Sequence, residues 1–485
     1  MKKLKLALSF LVLCIYFLWT TSISAQVLKG KIIDVQTQEP IGYASVQLSP
    51  NYGVITNQEG YFSLLQKDFP VETLVQISHI GYEEIKIDIK ELLQIHVIAL
   101  KPSSLLLNEV VLEPTLTASQ ILQKYLANTA NNYGLSPVRV RYFSRTKETF
   151  VPKRFEIDLK KISFANKKEL QKKIDDFEKK FNHKEIIGFT EKITDVYTSQ
   201  KGMVTNHLKA LKLLDKDGLN MDNFQEKFFE HTFKHLESPY TYHIKSGIIP
   251  LEKKASLNNI SRETKAVDTL KNNDRFYALG YGMISHHEFI RKQELYHYTL
   301  KGIQTINGMP CYHLTFSPKK SRAKHVGELF INTDDFGLVY YKYELAPEKS
   351  DFNLNLKWIL GIKINSFDNK VEVLMTKTPN GGYYPQFIKR FNASYAYVDR
   401  SLTLTENNPK RSERKKMKFN FLVEMTTSEA DEIIAVEMEP HDPEVKVITP
   451  EYILYDVKKQ YDPQYWSEYT ILEATNAMRN FKGAE

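Results

Sequence analysis

Histidine pairs are the first side chains in this sequence that could do chemistry. His231 and His235 are four residues apart, a spacing that places two imidazoles on one face of a helix, as a metal site requires. No glutamate directly follows His231, as a zinc protease motif would need, and no third ligand is identifiable. His286, His287 and Glu288 are adjacent, so in a strand neighbouring side chains would point to opposite faces. Both groups are therefore interpreted as ordinary side chains rather than ligands.

Other reactive patterns are equally incomplete. Gly280 and Gly282 lack the third glycine and the following helix of a dinucleotide-binding loop. Cys311 lies in a predicted strand, where a buried core thiol is favoured over a nucleophile. Asp334 and Asp335 could hold Ca²⁺, but they are typical of a plain Asx-rich turn. We therefore predict no catalytic, cofactor-binding or metal-binding residue.

The elements that must position any site are mostly strands. From about residue 274 apolar and polar residues alternate in segments separated by turns, among them Asn307-Gly308, a strong hairpin signal. The clearest segments are Ile303 to Phe316, Val326 to Ile331, Leu338 to Leu345, Val371 to Thr376 and Tyr383 to Val398. Successive antiparallel strands predict one large curved sheet or an open barrel. Charges such as Lys357 and Lys389 favour a sheet outside the membrane over a membrane barrel.

Helical signals interrupt the strands twice. A helix is predicted from about Ala118, with Ile121, Leu122 and Tyr125 on one face. Residues 164–247 are predicted to form a charged helical insertion that begins with a cap at Asn166. Its narrow apolar stripe consists of Leu170, Ile174, Phe177 and Phe181. Packing of this stripe against the domain is favoured, and contact with a membrane surface is the alternative.

A basic stripe lies between these helices. Arg139, Arg141, Arg145 and Lys147 alternate with other residues and therefore share one face of a strand. Two interpretations stay open: a solvated basic face, or a contact with an anionic lipid or glycan.

Residues 27–112 carry a recognisable pattern. Its elements are Gly30, Asp34, Thr37, Glu39-Pro40-Ile41, Ala44-Ser45-Val46, Thr56, Gly60-Tyr61-Phe62 and Ser78-x-x-Gly81-Tyr82. In this order they resemble the carboxypeptidase regulatory-like domain. The resemblance implies a seven-stranded transthyretin-like sandwich that is not itself catalytic. It also implies the N-terminal module of an exported envelope protein of Gram-negative bacteria, a group that includes receptors with β-barrels.

That resemblance invites comparison with zinc carboxypeptidases, which use His-x-x-Glu and a downstream histidine. The sequence has one His-x-x-Glu, at His441 and Glu444, and no histidine follows it. The zinc ligand pattern is therefore absent. There is a second resemblance. The segments 121–133, 141–145 and 461–472 together look like parts of uncharacterised exported proteins that carry the same N-terminal module.

The first 25 residues are predicted to be a cleavable signal peptide. Lys2, Lys3 and Lys5 precede an apolar run that ends near Trp19, and small residues follow up to Ala25. A membrane anchor and a lipoprotein signal at Cys14 are the alternatives. The formal charge of +8 falls to +5 without the three lysines, and a nucleic-acid partner is not indicated. Outside the leader only Cys311 remains, so no intrachain disulfide is expected.

The predicted fold class is mainly β with an α insertion: a seven-stranded sandwich followed by a larger α+β domain built on an antiparallel curved sheet. The predicted divisions are a signal peptide (1–25), the sandwich (26–113), a helix with the first strands of the second domain (114–163), the helical insertion (164–247), the antiparallel sheet (248–440) and a tail with a short helix (441–485).

Three functions are weighed. The first is an exported, non-enzymatic envelope protein that binds or scaffolds a partner or surface glycan in the periplasm, at the outer membrane or at the cell surface. The second is an accessory component of an outer-membrane nutrient-uptake system with a β-barrel partner. The third is a peptide or glycan hydrolase whose site would show a pocket with two convergent carboxylates or a histidine pair of shifted pKa. No cofactor is expected, and no transmembrane span is expected in the mature chain.

Overall fold

The computed structural model describes residues 26–103, 116–133, 136–199, 202–214, 233–246, 249–257, 269–271, 286–378 and 381–481. The predicted leader, the end of the 27–112 pattern (104–112), His231, Gly280 and Gly282 lie outside these ranges. Within them, the molecule consists of a small sandwich and a large antiparallel sheet, as the sequence predicted. No described helix is long and apolar enough to cross a membrane.

The small sandwich contains seven strands and one short helix. Its elements are β1 (Val27–Asp34), β2 (Ser45–Ser49), β3 (Tyr52–Ile55), β4 (Tyr61–Leu65), β5 (Leu74–Ser78), β6 (Ile85–Asp88), α1 (Ile89–Leu92) and β7 (Val97–Leu100). One sheet has the order β4-β1-β7, and the other has the order β3-β2-β5-β6. Gly60, just before β4, has a φ of 79°, a conformation that favours glycine.

The second part of the chain is longer. Its elements are α2 (Ala118–Asn132), β8 (Val138–Ile162), α3 (Lys167–Phe181), β9 (Ile186–Ser199), β10 (Gly202–Leu213), β11 (Tyr242–Ser246), β12 (Ile249–Ala255), β13 (Thr269–Lys271), α4 (Glu288–Arg291), β14 (Tyr296–Ile306), β15 (Met309–Pro318), β16 (His325–Asn332), β17 (Leu338–Leu345), β18 (Phe352–Leu356), α5 (Lys357–Leu360), β19 (Ile362–Lys377), β20 (Tyr383–Glu406), β21 (Lys416–Pro440), β22 (Tyr452–Leu454), β23 (Asp456–Lys458) and α6 (Asn476–Arg479).

The large sheet is a single ladder of paired strands. Their order is β10-β9-β8-β21-β20-β19-β17-β16-β15-β14, and every pair in this series is antiparallel. Short strands extend it: β18 pairs with β19, β11 with β20, and β23 runs parallel to β10. Strands β14 and β10 stand at the two ends of this order. The predicted hairpin at Asn307 and Gly308 is confirmed, since both residues have positive φ, 47° and 77°.

Two apolar cores lie on one face of this sheet, which we call the helix-covered face. The α2 core places Ile121, Leu122 and Tyr125 against strand residues such as Ile388 and Ile433. Helix α2 begins at Ala118 with a capping box made by Thr117 and Gln120. The α3 core lies farther along the strands and contains the stripe Leu170, Ile174, Phe177 and Phe181. Because that stripe is buried, its packing role is confirmed and membrane contact by this helix is wrong.

Helix α3 also protects a free edge of β8. Beyond Phe150 this strand has lost its partner β9, so backbone groups at 155, 157 and 159 face the helix. Gln171 Oε1 accepts a hydrogen bond from the Leu159 amide at 2.8 Å, and Glu178 Oε1 accepts one from the Ile157 amide at 2.6 Å. Helix side chains therefore replace the missing strand.

The insertion expected at 164–247 is helical only in part. Residues 186–213 form β9 and β10, an antiparallel pair joined to β8. Their β-branched residues, such as Ile193, Thr194 and Val196, fit a strand that is buried on both faces. The strongly charged helix just before them obscured this pattern.

The opposite face of the sheet carries the small sandwich and the C-terminal tail. Phe143, Phe387 and Ile434 of the sheet share a core with the sandwich, and Trp466 and Leu472 of the tail belong to the same core. Tyr43 of the sandwich stacks on Phe387, with ring centroids 5.1 Å apart. We call this side the sandwich face.

Candidate functional site

A polar recess opens on the helix-covered face between the two apolar cores. Four adjacent strands, β20, β21, β8 and β9, form its floor, and its volume is about 330 Å³. Its lining residues are Glu148, Thr149, Phe150, Ile186, Gly188, Asn392, Ser394, Thr427, Ser428 and Glu429. We call it the central recess.

Strand register explains why these side chains meet. Asn392, Glu429, Glu148 and Gly188 are direct cross-strand neighbours and form one row. The next row, two residues along each strand, consists of Ser394, Thr427, Phe150 and Ile186. Residues two apart share a face, so both rows point into the recess. Gly188 has no side chain, which leaves space beside Glu148.

A charged group closes one side of the recess. Arg390 Nε donates to Asp431 Oδ2 at 3.1 Å, and its Nη2 donates to Glu429 Oε1 at 3.3 Å. The Thr146 hydroxyl donates to Asp431 Oδ1 at 2.7 Å. Both oxygens of Asp431 are therefore engaged, which fixes this carboxylate, whereas Glu429 reaches into the recess.

Glu429 has an altered acidity. Desolvation in the recess raises its pKa from 4.5 to about 7, and the nearby carboxylate of Asp431 acts in the same direction. Arg390 opposes this shift. The Glu429 side chain keeps 47% of its exposure, so the group is reachable by a solute. A proton acceptor or donor that titrates near neutral pH thus faces the space.

The recess combines hydroxyl, amide and carboxyl groups with one aromatic wall. Asn392 and Thr427 can both donate and accept hydrogen bonds, and Phe150 lines the apolar end of the recess. Such a lining suits a polyhydroxylated solute. Within the described ranges, no group of three or more His, Cys, Asp or Glu is arranged to hold a metal ion.

The histidines singled out by sequence are spread over the molecule. His235 is exposed on a short 3₁₀ turn, and its proposed partner His231 lies outside the described residues. His287 stacks on Phe289 with centroids 4.9 Å apart, and desolvation lowers its pKa to about 4. His441 packs edge-on against Tyr197.

The other candidates have structural roles. Cys311 is fully buried, as predicted, and burial raises the pKa of its thiol to about 12. Asn332 Oδ1 accepts a hydrogen bond from the Asp334 amide at 2.8 Å, which is the predicted Asx turn. Asp335 is engaged by Lys377 Nζ at 2.7 Å and by the Tyr383 hydroxyl at 3.0 Å.

The basic stripe is neither a solvated face nor an open anion site, so both interpretations were wrong for its arginines. Arg139 and Arg141 pair with Asp195, at 3.2 and 2.7 Å, and Arg145 is buried against Glu191 at 2.6 Å. The acids come from β9, which sequence analysis had assigned to a helix. The stripe therefore contributes to the contact of the sheet with the tail and the sandwich.

The stripe belongs to a ladder of alternating charge on the sandwich face. Direct cross-strand neighbours on seven successive strands form it: Glu328, Lys342, Glu372, Lys389, Glu432, Arg145 and Glu191. Opposite charges at directly facing positions stabilise strand pairs and disfavour shifted registers. Sequence reasoning missed this ladder because its members are scattered along the chain between positions 145 and 432, and only the strand order makes them neighbours.

The central recess was also missed. Its acidic and amide side chains lie on long strands and form no short sequence motif. The available signal was that, in β8, β20 and β21, polar residues replace apolar ones at every second position.

Comparisons with known proteins match these observations at the N-terminus. Residues 28–112 match the family model of the CarboxypepD_reg-like domain. No curated protein sequence matches the chain.

Solved structures give remote likenesses only. A putative outer membrane lipoprotein-sorting protein domain from Vibrio parahaemolyticus has 7% identity over 68% of this chain and 95% of its own, with a TM-score of 0.18. A LolA superfamily protein from Nitrosomonas europaea has 8% identity over 68% and 95%, with a TM-score of 0.17. A DUF1329 family protein from Desulfovibrio piger has 9% identity over 67% and 95%, with a TM-score of 0.17. The match at 28–112 identifies the seven-stranded sandwich as a carboxypeptidase regulatory-like domain.

Proposed function

We propose that this protein is an exported cell-envelope binding protein, and that its central recess binds part of a polyhydroxylated ligand such as a glycan. The recess itself is the observation that carries the proposal. It is a polar space of about 330 Å³ on the sheet, between two filled apolar cores.

The lining favours hydrogen bonding over charge recognition. Asn392 and Thr427 offer paired donors and acceptors, and Glu148 and Glu429 add acceptors at the rim. Sugar hydroxyls need both kinds of partner at short spacing. Phe150, a buried member of the α3 core, closes the apolar end of the recess.

The envelope setting rests on the predicted leader at 1–25 and on the carboxypeptidase regulatory-like domain at 28–112. Both support export, followed by work done in the periplasm, at the outer membrane or at the cell surface. Fractionation that finds the chain without its leader in the cytoplasm would contradict this part of the proposal.

The binding proposal is tested by calorimetry with a panel of neutral and amino-sugar oligosaccharides. Thr427→Val keeps the shape of the side chain and removes its hydroxyl, and we expect weaker binding by about fivefold to tenfold, the effect of one hydrogen bond. Thr426→Val is the matched control, because Thr426 neighbours Thr427 but points to the opposite face. Binding by no member of the panel, or equal effects of the two variants, would refute the proposal.

A second function, glycan hydrolysis, is favoured by one observation. Glu429, with a pKa of about 7, and Asp431, which accepts a hydrogen bond from Arg390, are two carboxyl groups in different environments. In this case Glu429 would act as the acid and Asp431 as the base or nucleophile.

Turnover separates the two functions. Release of new reducing ends from a panel saccharide, lost in Glu429→Gln while binding persists, would establish the hydrolase. Binding without turnover would leave the binding function standing and exclude the hydrolase for those substrates.

A further inference from the structure

Two neighbouring segments outside the lining of the central recess present large apolar side chains to solvent. Helix α5 joins β18 to β19, and there Trp358 is 98% exposed and Ile359 is 78% exposed. The end of β11, at Ser246, lies beside it, and Leu251 on the paired strand β12 is 58% exposed. We call these two segments the apolar turns.

The α5 turn is held rigidly. Gly361 ends it in the left-handed conformation, with φ at 65°, and its amide donates to the Lys357 carbonyl at 3.0 Å. A Cβ at Gly361 would lie 2.1 Å from the Asp399 carbonyl oxygen, so glycine is required there. The exposure of Trp358 is thus the result of a defined fold rather than of a loose loop.

One arginine fixes the two turns side by side. Arg400 Nη1 donates to the Leu360 carbonyl at 2.7 Å, and its Nε donates to the Ser246 hydroxyl at 2.7 Å. The end of β11 and the α5 turn are therefore held next to each other.

Lysines are exposed on the same two segments. Lys245, Lys253 and Lys357 are exposed on the described parts of the two turns, where Glu252 and Asp399 are the acidic neighbours. Glu252 is engaged by the amides of residues 253 and 254. Lys357 Nζ lies 4.1 Å from the centre of the Tyr397 ring, and this contact holds the lysine charge beside the α5 turn.

We propose that the apolar turns insert into the surface of a lipid bilayer with anionic headgroups. Tryptophan favours the headgroup region because its ring is apolar and its N–H is polar. Trp358, Ile359 and Leu251 would enter the acyl boundary, and the lysines would contact anionic headgroups. This inference does not depend on the ligand of the central recess.

The test uses the chain without residues 1–25 and vesicles of phosphatidylethanolamine mixed with phosphatidylglycerol. We expect cosedimentation that weakens as salt rises, and weaker cosedimentation with phosphatidylcholine vesicles. The combined variant Trp358→Ser and Ile359→Ser should reduce the partition coefficient by about tenfold or more, because burying large apolar side chains changes an equilibrium by at least that factor.

Fluorescence gives a second measurement. Without the leader the chain retains two tryptophans, and Trp466 is buried, so a blue shift on adding vesicles reports Trp358. Ile448→Ser is the matched control, since Ile448 is also highly exposed but lies in the tail. It should leave partition and the blue shift unchanged.

Three results would overturn the proposal. They are no partition into either kind of vesicle, equal partition of the wild type and the combined variant, and a dimer in light scattering that the combined variant abolishes while vesicle binding is absent. Because both side chains are exposed, the variant should fold normally, which circular dichroism checks.

Discussion

Arg145 and Trp466 hydrogen-bond opposite oxygens of one buried carboxylate, that of Glu191. The guanidinium Nε donates to Oε1 at 2.8 Å, and the indole Nε1 donates to Oε2 at 2.7 Å. Arg145 Nη2 also donates to the Leu472 carbonyl at 2.8 Å. This contact joins β8, β9 and the tail, and it connects two segments, 141–145 and 461–472, that share the second sequence resemblance.

Removing the shared carboxylate should be strongly destabilising. We expect Glu191→Ala to lower the free energy of unfolding by about 3–5 kcal/mol, because Arg145 would be left buried without its main charge partner. Glu156→Ala is the control: its partner Arg154 is about half exposed, and the expected loss is within about 0.5 kcal/mol. Denaturant unfolding measures both, and similar losses would contradict the importance of the buried pair.

The hydroxyl of Tyr43 should stabilise the contact between sandwich and sheet. It donates to Glu432 Oε1 at 2.9 Å, and we expect Tyr43→Phe to cost about 1.5–3 kcal/mol, the range for a hydrogen bond to a charged group. Tyr395→Phe also removes a bond to a carboxylate, Glu424 at 3.1 Å, but at a half-buried site, so about 1 kcal/mol or less is expected. An equal or larger loss in Tyr395→Phe would contradict this assignment.

Glu429 should make stability depend on pH. Its folded-state pKa of about 7 is above its ordinary value of 4.5, so the folded state favours the protonated form. The stabilisation is complete below about pH 4.5 and is lost as pH rises through about 7. Glu429→Gln, which stays neutral, should therefore equal the wild type in Tm at low pH and exceed it above pH 7.

Thermal melts between these limits measure the difference. Glu413→Gln, on an exposed 3₁₀ turn outside the recess, serves as the control. Its Tm difference from the wild type should not increase as pH rises. A Tm advantage of Glu429→Gln that is largest at low pH would contradict the prediction.

Alanine substitutions at two glycines with positive φ should distinguish the cost of backbone strain from the cost of a steric collision. Gly381 has φ of 87° and nothing within 4 Å of an added Cβ, so Gly381→Ala should cost about 1–2 kcal/mol. Gly361→Ala adds a collision with the Asp399 carbonyl oxygen, so about 1–3 kcal/mol more is expected. Equal losses in chemical denaturation would show that the α5 turn is not held as described.

The sequence alone determined features that depend on residues close together in the chain. The motif around Gly60, the Asn307-Gly308 hairpin and the cap at Asn166 each specify a local conformation through φ preference or a nearby hydrogen bond. Period-two alternation likewise predicted a large antiparallel sheet. In 164–247 two local signals competed. The high charge of helix α3 led to a helical prediction for the whole segment, although β9 and β10 follow the helix.

Only the tertiary structure decided which strands are neighbours. The pairing of β8 with β21 brings Glu148 beside Glu429 and Arg145 beside Glu432, across more than 280 positions of sequence. Long-range strand order follows from the summed packing of two cores and of cross-strand pairs, and no short segment encodes it. The central recess and the charge ladder result from that strand order. The sequence therefore contains their residues but does not by itself show that these residues are neighbours.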